Sequence, residues 1–168
     1  MSITLILGGA RSGKSSHGEK LALALSKNPI YLATSRIWDD DHRARIERHI
    51  RDRGDEWRRV EEEKILSVIA VENEVILVDC VTLWLTNFFL DAKQDEELAL
   101  TNAKKELDSA LLLKNDWIFV SNELGQGLHA PTQSGRKFTD IQGFMNQYIA
   151  ARADNVILMV AGIPLRVK

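Results

Sequence analysis

Apolar residues along this chain gather in short continuous runs instead of alternating with polar ones. Residues 3–8 (ITLILG), 30–34 (IYLAT), 75–80 (VILVDC), 117–122 (WIFVSN) and 155–162 (NVILMVAG) are each of strand length and rich in β-branched side chains. A strand covered on both faces needs apolar side chains on both, so such runs predict a sheet buried between helical layers. Segments with helical period lie between them. Residues 14–26 follow the first run directly, and 95–113 pass from charged to apolar as an amphipathic helix does. Phe138, Ile141, Met145, Tyr148, Ile149 and Arg152 recur at three- and four-residue steps and lay an apolar stripe toward a core. Strands alternating with helices predict a mainly parallel sheet with right-handed crossovers. No internal repeat, low-complexity tract or Pro/Gly-rich linker divides the 168 residues, so a single domain over 1–168 is expected.

The first strand runs into Gly8, Gly9, Ala10, Arg11, Ser12, Gly13, Lys14 and Ser15 (GGARSGKS), which match G-x-x-x-x-G-K-[ST] between a strand and a helix. That order is what phosphate binding needs. Glycines let backbone N–H groups turn inward on a tight loop, and the helix N-terminus adds a positive dipole end. Lys14 is then expected on the β/γ phosphates and the Ser15 hydroxyl on Mg²⁺. Asp79 follows four apolar residues and emerges beside this loop, where an acid can hold Mg²⁺ directly or through water. The competing reading makes Asp79 a cap for the next helix. The motif specifies the fold class, an α/β, P-loop NTPase-type three-layer fold, but not what is phosphorylated or cleaved.

Residues 38–57 (WDDDHRARIERHIRDRGDEW) read as a basic helix, with Asp39 or Asp40 as cap and arginines in the later turns. A 3.6-residue period puts His42, Ile46, His49, Ile50 and Arg53 on one face. By pattern this is either a solvated, salt-bridged helix or a site in which Arg45, Arg48, Arg51 and Arg53 keep His49 neutral and nucleophilic. Pattern alone leaves both open. Residues 122–138 form a long glycine-containing connection, a length usual for functional loops. His129 within it reads as a solvent-exposed loop histidine rather than a ligand.

Composition narrows the field further. A formal net charge of -2 gives no global attraction to nucleic acid. Cys80 is the only cysteine, which excludes an intrachain disulfide and a thiolate zinc quartet. No run approaches the ~18 apolar residues of a membrane span, and a cytoplasmic location is the expected default.

Taken together, the motifs resemble the bifunctional adenosylcobinamide kinase / adenosylcobinamide-phosphate guanylyltransferase family of adenosylcobalamin (vitamin B12) biosynthesis. The matching stretches are GGARSGKS, YLATS with the acidic run after it, RIERH, the W-R-x-x-E of residues 57–61, VDCVTLWLTN, VSNELGQG, and the closing R-K-F-x-D-x-x-G-x-x-N-Q with ADNVILMVAGIPLRVK. The resemblance implies two reactions. A nucleoside triphosphate, ATP or GTP, phosphorylates the aminopropanol hydroxyl of adenosylcobinamide. GMP then passes from GTP through a guanylylated histidine to give adenosylcobinamide-GDP and pyrophosphate. The family's histidine closes R-I-x-x-H, here Arg45, Ile46 and His49, which makes His49 the expected nucleophile and Lys14 its catalytic companion. Implied nucleotide contacts are the P-loop, Ala33, Thr34, Ser35, Arg51, Asp52, Arg53, Glu61 and Asp79, with Ser15 and Asp79 on Mg²⁺. Glu61 is a candidate acceptor for the guanine edge. The family's habit also implies a homo-oligomer. The chain departs from the family in having Asp39-Asp40-Asp41-His42 where D-D-E-M is common and Arg58-Arg59-Val60 without the usual threonine, while Arg48 fills the place just before the nucleophile where many members carry a basic or histidine residue. A simpler P-loop kinase for a small metabolite, without guanylyl transfer, is the alternative; a nucleotide-dependent switch is a third reading.

Overall fold

The computed structural model describes residues 1–36 and 54–168. Seven strands form one sheet: β1 (Ile3–Gly8), β2 (Ile30–Ala33), β3 (Arg58–Glu61), β4 (Val75–Asp79), β5 (Asp116–Asn122), β6 (Asn155–Val160) and β7 (Ile163–Arg166). Their order is β3-β2-β4-β5-β1-β6-β7. All neighbours pair in parallel except β6 and β7, an antiparallel hairpin turned by Ala161 and Gly162 at φ 51° and 82°. Among the described residues the helices are α1 (Lys14–Leu25), α2 (Val81–Asp91), α3 (Glu96–Leu111) and α4 (Gln133–Arg152), with a 3₁₀ turn at Leu66–Val68.

The middle strands are apolar on both faces because both are covered, and this is the three-layer α/β arrangement expected. Ile6, Leu77, Ile118 and Val120 pack with Ala22 of α1 on one side. Leu5, Ile76, Val78 and Phe119 pack on the other with Trp84, Leu85 and Phe88 of α2, Ala103 and Leu107 of α3, and Met145 and Ile149 of α4. Each fully buried apolar side chain of this kind contributes about 1.5–3 kcal/mol relative to exposure, so these two clusters fix the helices against the sheet whose carboxyl edge carries the site.

Four sequence expectations shift. The basic helix over 38–57 lies mostly outside the described residues, but residues 54–57 form a turn leading into β3, not a last helical turn. The connection after β5 is shorter than the 122–138 read from the pattern. Thr132 caps α4 by accepting from the Gly135 N–H at 3.0 Å, which starts the helix at Gln133 and takes in Phe138. α2, whose apolar positions run almost without interruption, and the edge strands β3 and β7 were not separate elements in the pattern. α3 starts after Asp95, whose carboxylate accepts from the Leu98 N–H at 2.9 Å, and ends two residues short of the 113 expected.

Candidate nucleotide-binding site

β1 delivers the chain to Gly8 at φ +157°, where a Cβ would lie 2.5 Å from Ser12 Oγ and 2.7 Å from the Met159 carbonyl oxygen. Only glycine fits that crossing. Arg11 at φ 59° and Gly13 at φ 93° then bend the loop into α1. The loop is braced from the β6–β7 hairpin: the Gly162 N–H donates to the Ser12 carbonyl at 2.9 Å, and a Cβ on Gly13 would stand 3.2 Å from Gly162 Cα. Ser12 is buried, and its hydroxyl has no hydrogen-bond partner among the described residues. An orphaned donor inside such a loop is what a ligand oxygen would satisfy.

Lys14, the first residue of α1, is buried and reaches back to donate from Nζ to the Gly9 carbonyl at 2.7 Å. Burial holds its ammonium below the ordinary lysine range, and the neighbouring Cys80 and Asp79 offset part of that shift. A partly desolvated cation gains most from an anion that replaces its lost water, which is the task of a phosphate-binding lysine. At the next residue, the Ser15 hydroxyl donates to Asp79 Oδ1 at 3.4 Å, and the Tyr31 hydroxyl donates to Oδ2 at 3.0 Å. Tyr31 is itself held edge-on by Trp57, with ring centroids 6.0 Å apart. Tyr31 and the hairpin's Gly162 are site elements that the sequence reading missed. Tyr31 sat inside an apolar run, and the Gly162 contact is backbone, which no motif displays.

The hydroxyl of Ser15 and the carboxylate of Asp79 are hard oxygen donors close enough to share one small cation. Among the described residues no group of three or more His, Cys, Asp or Glu side chains could hold a metal alone. That combination fits Mg²⁺ arriving with a triphosphate, which completes its shell from phosphate and water oxygens.

Of the remaining candidates, Ala33, Thr34, Ser35 and Glu61 lie at the carboxyl edge of the same sheet, where open parallel sheets bind ligands. Register sets Ala33 of β2 between Asp79 of β4 and Glu61 of β3. Glu61 is exposed and pairs with Arg59 at 2.5 Å. Thr34 is fully buried; its hydroxyl donates to the Cys80 carbonyl at 2.9 Å, and its own carbonyl accepts from Asn87 Nδ2 at 2.8 Å. Its side chain therefore ties β2 to the start of α2 instead of pointing at the site. Ser35 donates to the Arg36 carbonyl at 3.0 Å. Arg36 spans to Asp91 of α2 with two hydrogen bonds of 2.7 and 2.9 Å and to Glu63 at 2.5 Å, anchoring the chain where it leaves for residue 37. His42, His49, Arg51, Asp52 and Arg53 lie outside the described residues. His129 is exposed in the loop after β5, as read from the sequence.

A parallel sheet whose first strand feeds GGARSGKS into a helix, with a buried lysine and a strand-end aspartate on its serine, defines an α/β P-loop nucleotide-binding enzyme. The chain belongs to the cobinamide kinase / cobinamide phosphate guanyltransferase family, whose profile matches residues 4–167. It is 37% identical over 179 residues to the bifunctional adenosylcobalamin biosynthesis protein CobU of Escherichia coli (strain K12), covering 98% of each chain. It is 38% identical over 172 residues to the bifunctional adenosylcobalamin biosynthesis protein CobP of Pseudomonas aeruginosa, covering 98% of this chain and 96% of that one. Among solved structures, a prototypical ATPase from the type III secretion system of pathogenic bacteria superposes with a TM-score of 0.56 at 11% identity. That match covers 94% of this chain and 50% of the ATPase, and it concerns the fold alone. As a member of this family the chain is a transferase that joins a kinase to a guanylyltransferase, which favours the two-step reading over the single kinase and the switch. No helix among the described residues is long and apolar enough to cross a membrane.

Proposed function

We propose that both reactions run from the one P-loop, in the cytoplasm. The chain phosphorylates adenosylcobinamide with ATP or GTP, then transfers GMP from GTP to adenosylcobinamide phosphate, giving adenosylcobinamide-GDP in adenosylcobalamin biosynthesis. The observation that carries this is the buried Lys14 at the mouth of a loop with an orphaned Ser12 hydroxyl, in a chain matched along nearly its whole length by the family profile.

In the kinase step the P-loop and Lys14 hold the triphosphate, and positioning the acceptor hydroxyl in line with the γ-phosphorus does most of the work. Ser15 and Asp79 would hold Mg²⁺, which would supply charge neutralisation at the phosphates. In the guanylyl step His49 attacks the α-phosphorus, pyrophosphate leaves, and a phosphate oxygen of the corrinoid substrate then displaces His49. Arg51 and Arg53 bind the phosphates during that exchange, with Asp52 between them. Ala33 and Ser35 contact the nucleotide from the end of β2. Glu61 accepts from the guanine N1–H and exocyclic amine, which requires it to release Arg59. The corrinoid rests against the loop after β5. A homo-oligomer is supported by the open edge of β7, where Ile163 and Leu165 are exposed.

The test supplies adenosylcobinamide with ATP, GTP or both and follows the corrinoid products by chromatography. Phosphate ester with either nucleotide, and the GDP conjugate only with GTP, is expected. Product that stops at the phosphate with GTP present leaves the chain a kinase only.

A further inference from the structure

Neither reaction above assigns a role to Ser121 or Asn122 of VSNELGQG (residues 120–127). β5, which brings them to the sheet's carboxyl edge, lies between β4 with Asp79 and β1 with the P-loop. Gly18 of α1 marks which side chains share a face. A Cβ there would meet Leu77 of β4 at 3.0 Å, Val120 of β5 at 3.1 Å and Ile6 of β1 at 3.5 Å. These three point toward the P-loop helix. Side chains alternate along a strand, so the residues two further on share that face: Asp79, Asn122 and Gly8. The Ser15–Asp79 contact agrees with this for β4. Register sets Asn122 opposite Gly8, and the Glu123 N–H donates to the Gly8 carbonyl at 3.0 Å. Asn122 therefore stands between the aspartate and the phosphate loop.

Its orientation is held from two sides. Thr82 Oγ1, in the first turn of α2, accepts from the Asn122 backbone N–H at 3.1 Å and from its Nδ2 at 3.0 Å. Behind it, the Ser121 hydroxyl donates to Asn146 Oδ1 at 2.6 Å and accepts from Gln142 Nε2 at 2.9 Å, while Asn146 Nδ2 donates to the Asn122 carbonyl at 3.1 Å. Ser121, Gln142 and Asn146 are buried. These hydrogen bonds fix the strand end that carries Asn122, although Gln142 Oε1 has no partner among the described residues. Thr82 uses one N–H of the carboxamide. Nδ2 has a second, and Asn122 is only partly buried.

We propose that Asn122 is a catalytic residue of phosphoryl transfer, its carboxamide donating to the terminal phosphate, with Thr82 as its positioning residue. The proposal rests on the P-loop reading above. In the transfer the acceptor hydroxyl oxygen bonds to the γ-phosphorus while the bond from that phosphorus to the β,γ-bridging oxygen breaks. The electron pair leaves with the nucleoside diphosphate, and the hydroxyl proton passes to water. Charge on the transferring phosphoryl oxygens is met by a fixed neutral donor in addition to Lys14. A diphosphate lacks the group that Asn122 contacts, so Asn122 also distinguishes triphosphate from diphosphate.

The test compares wild type, Asn122→Ala, Asn122→Asp and Thr82→Val in affinity for GDP and for a non-hydrolysable GTP analogue, in kinase turnover and in thermal midpoint. Asn122→Ala is expected to keep GDP affinity within about twofold and to lose about ten- to a hundredfold for the triphosphate analogue, the scale of one hydrogen bond to a charged group. Its kinase kcat should fall about 10²-fold, as when one oriented donor is removed from a charge-stabilising site. Asn122→Asp keeps the shape but faces the phosphate with a like charge, so it should bind the triphosphate analogue more weakly than Ala does. Thr82→Val should lower kcat by less, with KM unchanged. Equal loss of GDP and triphosphate binding would make Asn122 a brace of the strand end and overturn the proposal, as would kinase turnover within twofold of wild type. Should wild type show no kinase activity, the proposed function fails by itself. The triphosphate-over-diphosphate preference then decides on Asn122: its loss in Asn122→Ala supports the proposal and its retention overturns it.

Discussion

Replacing Gly8 by alanine adds one methyl group where β1 enters the phosphate loop. That methyl would lie 2.5 Å from Ser12 Oγ and 2.7 Å from the Met159 carbonyl oxygen, at a backbone φ of +157°. The serine hydroxyl is the end of a side chain and can turn away. The Met159 oxygen belongs to β6, which is hydrogen-bonded to β1 through this register, so it cannot yield without moving the strand. Overpacking of this kind costs about 1–3 kcal/mol, and a strained φ adds about 1 kcal/mol. A total of about 2–4 kcal/mol lowers the thermal midpoint of a chain this size by roughly 5–12 °C.

The cheapest relief is a shift of the loop itself, which moves the N–H groups that face the phosphates. Nucleotide affinity should therefore fall at least about tenfold, the equivalent of 1.4 kcal/mol. Gly9→Ala is the control for stability, because a Cβ there meets nothing within 4 Å. Differential scanning fluorimetry and titration with a fluorescent GDP analogue read both quantities. If Gly8→Ala melts and binds like wild type while Gly9→Ala does the same, the close approach of Gly8 to β6 has no energetic meaning and the reasoning is wrong.

Asp79→Asn should raise the Mg²⁺ concentration needed for nucleotide binding roughly tenfold with little change in thermal midpoint; an unchanged Mg²⁺ titration would leave Asp79 only as a tether for the Ser15 and Tyr31 hydroxyls. The Cys80 thiol is pushed up to about 12 by burial and by the charge of Asp79. Since the thiolate is the reactive form, iodoacetamide at pH 8 should label the folded protein at least about 100-fold more slowly than the unfolded one, and comparable rates would contradict that. Hydrogen bonds from Arg36 and Lys64 hold the Asp91 carboxyl well below the usual range. A depressed folded-state value means that its contribution is present above the unfolded carboxylate value and lost as pH falls through the folded one. The stability gap between wild type and Asp91→Asn, from urea unfolding, should thus shrink below about pH 4; a gap that stays constant to pH 2 would contradict the ion pair's role.

How much of this was legible in the sequence depended on whether the signal was local. β1, β4 and β5 are buried on both faces, so their apolar runs stood out, and the P-loop advertised itself because its chemistry requires fixed residue types at fixed spacing. β3 (RRVE) is an edge strand that borrows its ladder from β2, and its charged side chains hid it from a search for apolar runs. β7 is exposed along its whole length and serves the loop through the backbone of Gly162. α2 carries Val81, Trp84, Leu85, Phe88 and Phe89 in the core, too many apolar positions for a one-sided stripe. Ser15 and Asp79 were placed together correctly from strand length alone. The partners of Tyr31 and Thr34 were beyond reach, since Asp79 and Cys80 are distant in sequence and become neighbours only when β2 pairs with β4.

Covalent guanylyl transfer through His49 from the same P-loop can be read by incubating the protein with GTP labelled at the α- or the γ-phosphate. The α-label should stay with the denatured protein in an acid-labile, base-stable bond, the γ-label should not stay, and His49→Ala should abolish labelling while kinase turnover persists. Labelling that survives His49→Ala would move the nucleophile elsewhere, with His42 next in line. No α-label on wild type under conditions where the kinase turns over would contradict the covalent step itself.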